Sequence, residues 1–299
     1  MVSLTRGRAI ALLAGAALLP RCAFDASRVR VGSKNFTESF LIAEIYAQAL
    51  ENAGMRVERI FNLGSTQIAM AAMRRGNIDL YPEYTGTALI DVLHHAPISD
   101  AREAYRVVAQ IFEQRYGIIW LPPSPMNDSQ GLATTAEISA NRHLLTLSDV
   151  AAAAPRLRLA TIQEFLARPD GLPGLQRAYG GFQFASVRTY DIALKYRALL
   201  DGNADVASAF TTDGAIASDR LVVLRDDKHF WSAYNVAPVV RRAALTARPQ
   251  IARVLNAVSP AITDSAARRM NAEIESAQQD PADVAAAFLK SRHKAEPKT

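Results

Sequence analysis

Side chains that could perform catalysis are present in this sequence, but not at the spacings that enzymes use. The chain has five histidines and a single cysteine, Cys22. It lacks the His-Glu-x-x-His motif of zinc hydrolases, the Gly-x-Ser-x-Gly turn of serine hydrolases and a phosphate loop ending in Gly-Lys-Ser/Thr. The histidines are His94, His95, His143, His229 and His293. We therefore expect no enzymatic activity, no cofactor and no resident metal ion.

Polar segments that follow short predicted strands indicate a different chemistry, the binding of a small solute. In open α/β sheets, ligands collect at the carboxyl ends of strands, where the following helices point their free N–H groups. Three segments of this chain meet that description, at residues 33–35, 63–66 and 81–87. The sequence thus predicts a binding rim along one edge of a sheet.

Hydrophobic periodicity predicts the elements that position this rim. Asn35-Phe36-Thr37-Glu38 has the Asn-x-x-Glu pattern of a capping box, and Gly54 supplies the stop of the helix that follows. A second helix runs from about Gly64 to Gly76, and strands are predicted at 29–32, 56–61 and 78–81. The order β-α-β-α-β predicts a parallel sheet with right-handed crossovers.

The middle of the chain repeats the same alternation after a proline-rich passage at residues 122–125, which we interpret as a hinge. Strands are predicted at 156–161, 204–210 and 220–224, with a helix at 163–168 and a loop at 169–174. After residues 236–240 the pattern is helical, and Asp280-Pro281 opens the last helix. We expect lobe I to contain residues 27–125 and 237–299, lobe II to contain 126–236, and a ligand cleft to lie between them.

Six stretches of sequence carry a family resemblance. They are Gly32-Ser33-Lys34-Asn35-Phe36-Thr37-Glu38, Leu63-Gly64-Ser65-Thr66-Gln67-Ile68, Ile78-Asp79-Leu80-Tyr81-Pro82-Glu83-Tyr84-Thr85-Gly86-Thr87-Ala88, Arg168-Pro169-Asp170-Gly171-Leu172-Pro173-Gly174-Leu175, Thr212-Asp213-Gly214, and Asp226-Asp227-Lys228 through Tyr234-Asn235. With them the sequence resembles the osmoprotectant-binding proteins of glycine betaine, carnitine and choline ABC importers. The resemblance implies an α/β, two-lobed, type II periplasmic-binding-protein-like fold that closes on its solute and works with an ABC permease at the inner membrane.

The resemblance also implies how the solute is held. A quaternary ammonium has no N–H to donate, so such proteins surround it with aromatic rings, each worth about 0.5–2 kcal/mol when desolvated. Cationic and hydroxyl side chains hold the carboxylate. The matching positions are Lys34 and Thr87 as ligand contacts, Tyr84 and Tyr234 as rings, Asp128 as an acidic group near the cage and Arg168 as the carboxylate-binding arginine.

Two positions depart from the family pattern. Gln130 stands where a cage tyrosine is usual, and Phe210 stands where tyrosine is common. Phenylalanine keeps a π face, whereas glutamine does not. Two ligand classes therefore stay open: a betaine or choline held by a partial cage, and a different small polar, amino-acid-like solute that Gln130 would recognise by hydrogen bonds.

The matched residues also have ordinary structural interpretations. Arg168 has a potential ion-pair partner two residues away, in Asp170. Three of the matched residues have aromatic side chains that could simply pack in the core: Tyr84, Phe210 and Tyr234. Lys34 could be a solvated neighbour of the first helix. Sequence alone leaves both interpretations in place.

The first residues have the pattern of a secretory signal. Arg6 and Arg8 precede the apolar run 9–19, which is too short for a membrane-spanning helix of about 20 residues. We expect residues 1–26 to be a signal segment and the mature protein to be periplasmic. Cys22 is a candidate for lipid attachment, although Arg21 occupies a position where such sites have a small residue.

The charge pattern of the chain argues against other classes of protein. The chain has 299 residues and a net charge of +5, but its basic residues are interspersed with acidic ones rather than gathered in a stripe. We therefore expect no nucleic-acid partner. A ligand-sensing domain of a regulator can share this fold, but no DNA-binding module precedes it and the signal segment indicates export. The predicted partners are a small solute and the permease, and the predicted state is a monomer.

Overall fold

The computed structural model describes residues 28–191 and 194–295, so the predicted signal segment and Cys22 lie outside the described residues. The strands are β1 (Arg28–Gly32), β2 (Arg56–Ile60), β3 (Leu80–Tyr84), β4 (Ile118–Trp120), β5 (Gln130–Thr134), β6 (Arg158–Thr161), β7 (Ser186–Thr189), β8 (Val206–Phe210), β9 (Val222–Val223) and β10 (Val236–Arg241).

The helices of the first half are α1 (Thr37–Asn52), α2 (Thr66–Arg75), α3 (Thr85–Thr87), α4 (Ala101–Tyr116), α5 (Ala136–Arg142) and α6 (Leu147–Ala153). A π-helical turn (Ala88–Val92) continues α3. The helices of the second half are α7 (Gln163–Ala167), α8 (Leu172–Tyr179), α9 (Lys195–Leu200), α10 (Gly214–Ser218), α11 (Arg242–Ala247), α12 (Gln250–Val258), α13 (Asp264–Glu275) and α14 (Pro281–Ala295). Short 3-10 turns occupy Ala154–Arg156 and Ser259–Ala261.

The first sheet has the strand order β2-β1-β3-β10-β4. β1 is parallel to both β2 and β3, which confirms the predicted parallel β-α-β-α-β unit. β10 returns from late in the chain and pairs antiparallel with β3 and β4. One hydrophobic core, containing Leu41, Tyr46 and Leu255, packs α1 and the C-terminal helices against this sheet. A second core, around Phe112, holds α2 and α4.

The second sheet has the order β7-β6-β8-β5-β9 and is also mixed. β6 is parallel to β7 and β8, whereas β5 is antiparallel to β8 and β9. Two further cores flank it, one containing Phe165 and Phe182 and the other containing Tyr196. The chain therefore builds two α/β lobes, as predicted.

Two extended segments join the lobes. The chain leaves the first sheet after Trp120 and returns to it at Val236, and an antiparallel bridge between Asn127 and Asn235 ties the two crossings together. The Asn127 side chain accepts a 2.7 Å hydrogen bond from the backbone N–H of Tyr234. The predicted return at residue 237 lies one residue after the start of β10, and the lobe limits themselves stay a prediction.

Three local predictions were wrong. The predicted loop at 169–174 ends at Gly171, because α8 begins at Leu172 with Pro173 in its first turn, where proline is tolerated. The capping box does not form: α1 starts after Phe36 without any side-chain cap, because Glu38 points to tertiary partners instead. The third strand lies at Leu80–Tyr84 rather than 78–81, because its pairing with β10 extends to Tyr84 opposite Val236. Among the described residues, none of the helices has both the length and the apolar character needed to cross a bilayer.

Candidate ligand-binding site

A cavity of about 780 Å³ lies between the two lobes. All the residues predicted from the sequence line it, which means that the fold brings together positions from both halves of the chain. They are Lys34, Tyr84, Thr87, Asp128, Gln130, Arg168, Phe210 and Tyr234. Of the three predicted rim segments, 33–35 reaches the cavity through Lys34 and Asn35, and 81–87 through Tyr84 and Thr87. Segment 63–66 does not line it and contributes only Thr66, a hydrogen-bond partner of Lys34.

Lys34 is not a solvated residue but half of a buried ion pair. It follows β1, and only 4% of it is exposed. Its Nζ donates to Glu83 Oε1 at 2.7 Å and lies 4.8 Å from the ring centroid of Tyr84. The fully buried Glu83 also accepts from the hydroxyl of Tyr81, so its charge is well compensated. The ammonium predicted to meet a ligand carboxylate already has a carboxylate partner.

Tyr84 ends β3 with its ring buried at the cavity wall. Its hydroxyl donates to Glu38 Oε1 at 2.6 Å, and the side-chain amide of Asn271 donates to Glu38 Oε2 at 2.9 Å. Burial raises the pKa of Glu38 above its usual value, while the hydrogen bonds from Tyr84 and Asn271 oppose that rise. Asn271 also donates to the backbone carbonyl of Thr212, which connects α13 to the far lobe.

The ring of Tyr234 is held against the backbone of α3. A Cβ placed on Gly86 would lie 2.6 Å from Tyr234 Cε1, so only glycine permits this approach. The hydroxyl of Tyr234 donates to Asp170 Oδ2 at 2.8 Å. Thr87, one residue beyond Gly86, lines the cavity beside this ring.

Arg168 does form the ion pair that its ordinary interpretation predicts. Its Nε and Nη2 donate to the two carboxylate oxygens of Asp170 at 2.8 and 2.9 Å. This pairing raises the pKa of the Arg168 guanidinium, so it stays charged. The side chain is nevertheless 30% exposed and lines the cavity, so its remaining N–H groups are available to a ligand.

Phe210 belongs to a cluster that sequence reasoning missed. The buried Lys195 donates to Asp213 Oδ2 at 3.0 Å, and its ammonium lies 5.0 Å from the Phe210 ring and 4.7 Å from the Tyr196 ring. Tyr196 donates its own hydroxyl to the same Asp213 oxygen and lines the cavity. It lies outside all six family-like stretches, and its only signal was being one of nine tyrosines in a chain with 7% aromatic residues.

Asp128 and Gln130 occupy the wall between these clusters. Asp128 Oδ1 accepts from the hydroxyl of Thr212 at 2.6 Å, and burial together with nearby Glu38 raises its pKa well above the usual range. Gln130 starts β5 opposite Phe210 and is 9% exposed. Its side-chain amide makes no hydrogen bond to any residue that the structure describes, so its donors and acceptor are open to a ligand.

The family model for the substrate-binding domain of ABC-type glycine betaine transport systems matches residues 27–291. The chain belongs to this family. Its type II, two-lobed fold is shared with a solved structure described as a glycine betaine/carnitine/choline ABC transporter, at a TM-score of 0.84 and 31% identity, covering 89% of this chain and 98% of that one.

Relatives of this substrate-binding domain are transport proteins. A glycine-betaine-binding protein of Pseudomonas aeruginosa is 34% identical, covering 94% of this chain and 93% of the relative. An ergothioneine transport permease and binding protein of Helicobacter pylori is 30% identical over 91% of this chain. The chain spans about half the length of that second relative, 49% of it. These relatives indicate no catalytic role, and family members act outside the cytoplasm together with a permease.

The cavity of this substrate-binding domain has an excess of acidic groups. Its lining cations are compensated: Lys34 by Glu83, Arg168 by Asp170 and Arg197 by Asp201. Within the described part of the chain, the lining carboxyl groups of Glu38, Asp128, Asp219 and Glu275 have no cationic partner. No group of three or more histidine, cysteine, aspartate or glutamate residues is arranged to hold a metal ion within 28–191 and 194–295. The excess of acidic groups in the lining is what suits this cavity to a positively charged organic solute.

Proposed function

We propose that this protein captures a quaternary-ammonium solute, glycine betaine, choline or a close relative, in the cavity between its lobes. One observation carries the proposal: five aromatic side chains from both lobes line the same cavity as four acidic side chains that have no cationic partner among the described residues. The rings are Phe36, Tyr84, Tyr196, Phe210 and Tyr234. Such a wall attracts a cation that cannot donate hydrogen bonds.

The energetics favour this ligand class over a neutral solute. Ring faces contribute about 0.5–2 kcal/mol each to a desolvated cation. Burial favours the neutral forms of Glu38, Asp128 and Glu275, but a bound cation favours their ionised forms, which then add a longer-range attraction. Tyr196 supplies a ring that partly replaces the one lost at Gln130. A zwitterion such as glycine betaine would direct its carboxylate to Thr87 and the free N–H groups of Arg168. The names of the relatives, which include glycine betaine among their ligands, support this assignment.

Titration calorimetry with choline, glycine betaine, carnitine and proline tests the proposal. We expect the quaternary ammonium compounds to bind and proline to bind at least tenfold more weakly. Tyr84→Leu and Tyr196→Leu should each weaken choline binding by about 0.5–2 kcal/mol. Tyr116→Leu is the matched control, because this half-buried tyrosine does not line the cavity. Equal losses of choline affinity in all three variants would mean that replacing these rings weakens binding only by destabilising the protein.

A second candidate ligand, an amino-acid-like polar solute, rests on the unpartnered amide of Gln130. The substitution Gln130→Tyr separates the candidates. If the cation is the ligand, the new ring should tighten choline by about 0.5–2 kcal/mol. If Gln130 recognises polar groups, the substitution should abolish binding of the true ligand, which the calorimetric panel extended with amino acids would identify, and add little for choline.

Export and delivery complete the proposed role. The segment 1–26 would direct the chain to the periplasm, where the monomeric protein would pass its solute to an ABC permease at the inner membrane. Lipid attachment at Cys22 stays a minor alternative to a freely diffusing protein. Cell fractionation followed by mass spectrometry of the N-terminus tests both points. Full-length protein in the cytoplasm would contradict export, and a mature chain beginning with acylated Cys22 would establish the anchor.

A further inference from the structure

The tyrosines that line the cavity share one feature: each donates its hydroxyl to a carboxylate. The pairs are Tyr84 with Glu38, Tyr196 with Asp213 and Tyr234 with Asp170, at oxygen–oxygen distances of 2.6, 2.5 and 2.8 Å. A phenol that donates to an ionised acceptor forms a short, strong hydrogen bond. The bond shifts electron density from the O–H toward the ring, which is the part of the residue that faces a bound cation.

Two of these three carboxylates are neutralised by a cation. Asp213 accepts from Lys195 at 3.0 Å, and Asp170 accepts both arms of Arg168. Glu38 differs, because its hydrogen-bond partners are the neutral side chains of Tyr84 and Asn271. Among the described residues it forms no ion pair. The carboxyl group behind the Tyr84 ring is therefore the only one of the three without a cationic hydrogen-bond partner, since the Lys34 ammonium 4.8 Å from that ring is paired with Glu83. A cation bound against the ring would favour the ionised form of Glu38, which burial alone disfavours.

We propose that Glu38 is a positioning residue that sets the preference of the site for a charged trimethylammonium over an uncharged group of the same shape. It acts through the hydroxyl of Tyr84, which it polarises and fixes, and does not itself need to touch the ligand. This inference rests on the proposed quaternary-ammonium function. It adds that one carboxylate, 46 positions away from Tyr84 in the sequence, determines how strongly that ring prefers a charged ligand to an uncharged one of the same shape.

The surroundings of Glu38 make this effect large. Glu38 is 6% exposed and Tyr84 is 3% exposed, so little water lies between the carboxylate, the ring and the cavity. In such a setting electrostatic interactions are several-fold stronger than in bulk water. A ligand of identical shape but without charge would gain the same contact area and none of this attraction.

The test compares choline with its dimethylbutanol isostere, in which carbon replaces the ammonium nitrogen. Binding of both compounds is measured calorimetrically for the wild-type protein and for Glu38→Gln, Tyr84→Phe and the double variant. We expect each single substitution to lower the choline-to-isostere affinity ratio about fivefold, and the double variant to lower it no further. Glu44→Gln is the control: this buried carboxylate pairs with Arg59 outside the cavity, so its loss should leave the ratio unchanged.

The outcomes separate this inference from the proposed function. A wild-type protein that fails to bind choline refutes the function. A wild-type protein that prefers choline, together with an unchanged ratio in Glu38→Gln, refutes the inference alone and leaves Glu38 a structural residue. If Glu38→Gln does not fold, Tyr84→Phe decides the matter, because it removes only the hydroxyl link: an unchanged ratio overturns the inference and a reduced one supports it.

Discussion

The contact between Gly86 and Tyr234 provides the sharpest structural prediction. A methyl group on Gly86 would lie 2.6 Å from Tyr234 Cε1 and 2.7 Å from its Cδ1 and Cζ. Comfortable carbon–carbon contacts are about 3.5–4.0 Å, so Gly86→Ala must push the ring aside by about 1 Å. The backbone of Gly86 does not have a positive φ, so the alanine itself is not strained. The whole effect of the substitution therefore falls on the ring.

The cost follows from what the ring holds. Tyr234 is 6% exposed, so it has little room to move, and its hydroxyl donates to the buried Asp170. Overpacking of this kind costs about 1–3 kcal/mol, and weakening a hydrogen bond to a charged group adds to it. We expect Gly86→Ala to lower the free energy of unfolding by about 2 kcal/mol and to weaken choline binding about tenfold, since it displaces one ring of the cage.

Urea denaturation and titration calorimetry measure both effects. Gly131→Ala is the matched control, because its nearest neighbour would be Thr211 Cγ2 at an ordinary 3.4 Å and its φ is not positive either. The control should change the free energy of unfolding by less than about 1 kcal/mol. If Gly86→Ala matches the control in both stability and affinity, the Tyr234 ring does not pack against the backbone of Gly86.

Three further predictions concern charged groups around the cavity. Partial burial and the nearby Asp213 raise the pKa of Glu275 to about 7. A bound cation favours the ionised carboxylate, so choline affinity should rise from roughly pH 6 to pH 8, while the stability of the unliganded protein should fall over the interval from about pH 4.5 to 7. Lys34→Met leaves Glu83 buried without a cation and should destabilise the protein by about 3–5 kcal/mol in urea denaturation. Arg168→Gln should weaken glycine betaine about tenfold more than choline, which has no carboxylate, in calorimetry.

Each of these predictions has a control or a contradicting result. Glu275→Gln should remove the pH dependence of choline binding, and a slope that persists would assign it to another group. Arg106→Met breaks an exposed, solvent-screened ion pair with Glu103 and should leave the free energy of unfolding nearly unchanged, in contrast to Lys34→Met. Equal losses for choline and glycine betaine in Arg168→Gln would indicate that this arginine only supports Asp170.

Much of the fold was predictable because it depends on local pattern. The alternation at 29–32 and the glycine stop at Gly76 identify β1 and the end of α2 without any tertiary information. The rim was predictable for a topological reason, since parallel strands bring their carboxyl ends to one edge. The family-like stretches then supplied Lys34, Tyr84, Thr87, Arg168 and Tyr234. The family pattern also pointed to three positions outside those stretches, Asp128, Gln130 and Phe210, and the structure gathers all eight around one cavity.

What the sequence did not reveal depends on distant partners. Glu38 matched a helix cap by its spacing, but its actual partners are Tyr84 and, 233 positions away, Asn271. The buried pairing of Lys34 with Glu83 joins the ends of two neighbouring strands, which periodicity does not specify. Tyr196 follows a lysine in a short helix whose sequence has no recognisable binding motif. Its position at the cavity depends on how that helix packs in the second lobe. Long-range polar pairs of this kind have no signature in a single sequence.

A crystal structure of the protein with bound choline would show whether the interlobe cavity holds the cation against its aromatic rings. We expect the ligand nitrogen to lie between the lobes, within about 6 Å of the ring centroids of Tyr84, Tyr196 and Tyr234, with no hydrogen bond to the trimethylammonium group. A nitrogen found outside the interlobe cavity, or one that contacts the Gln130 amide but none of these rings, would contradict it.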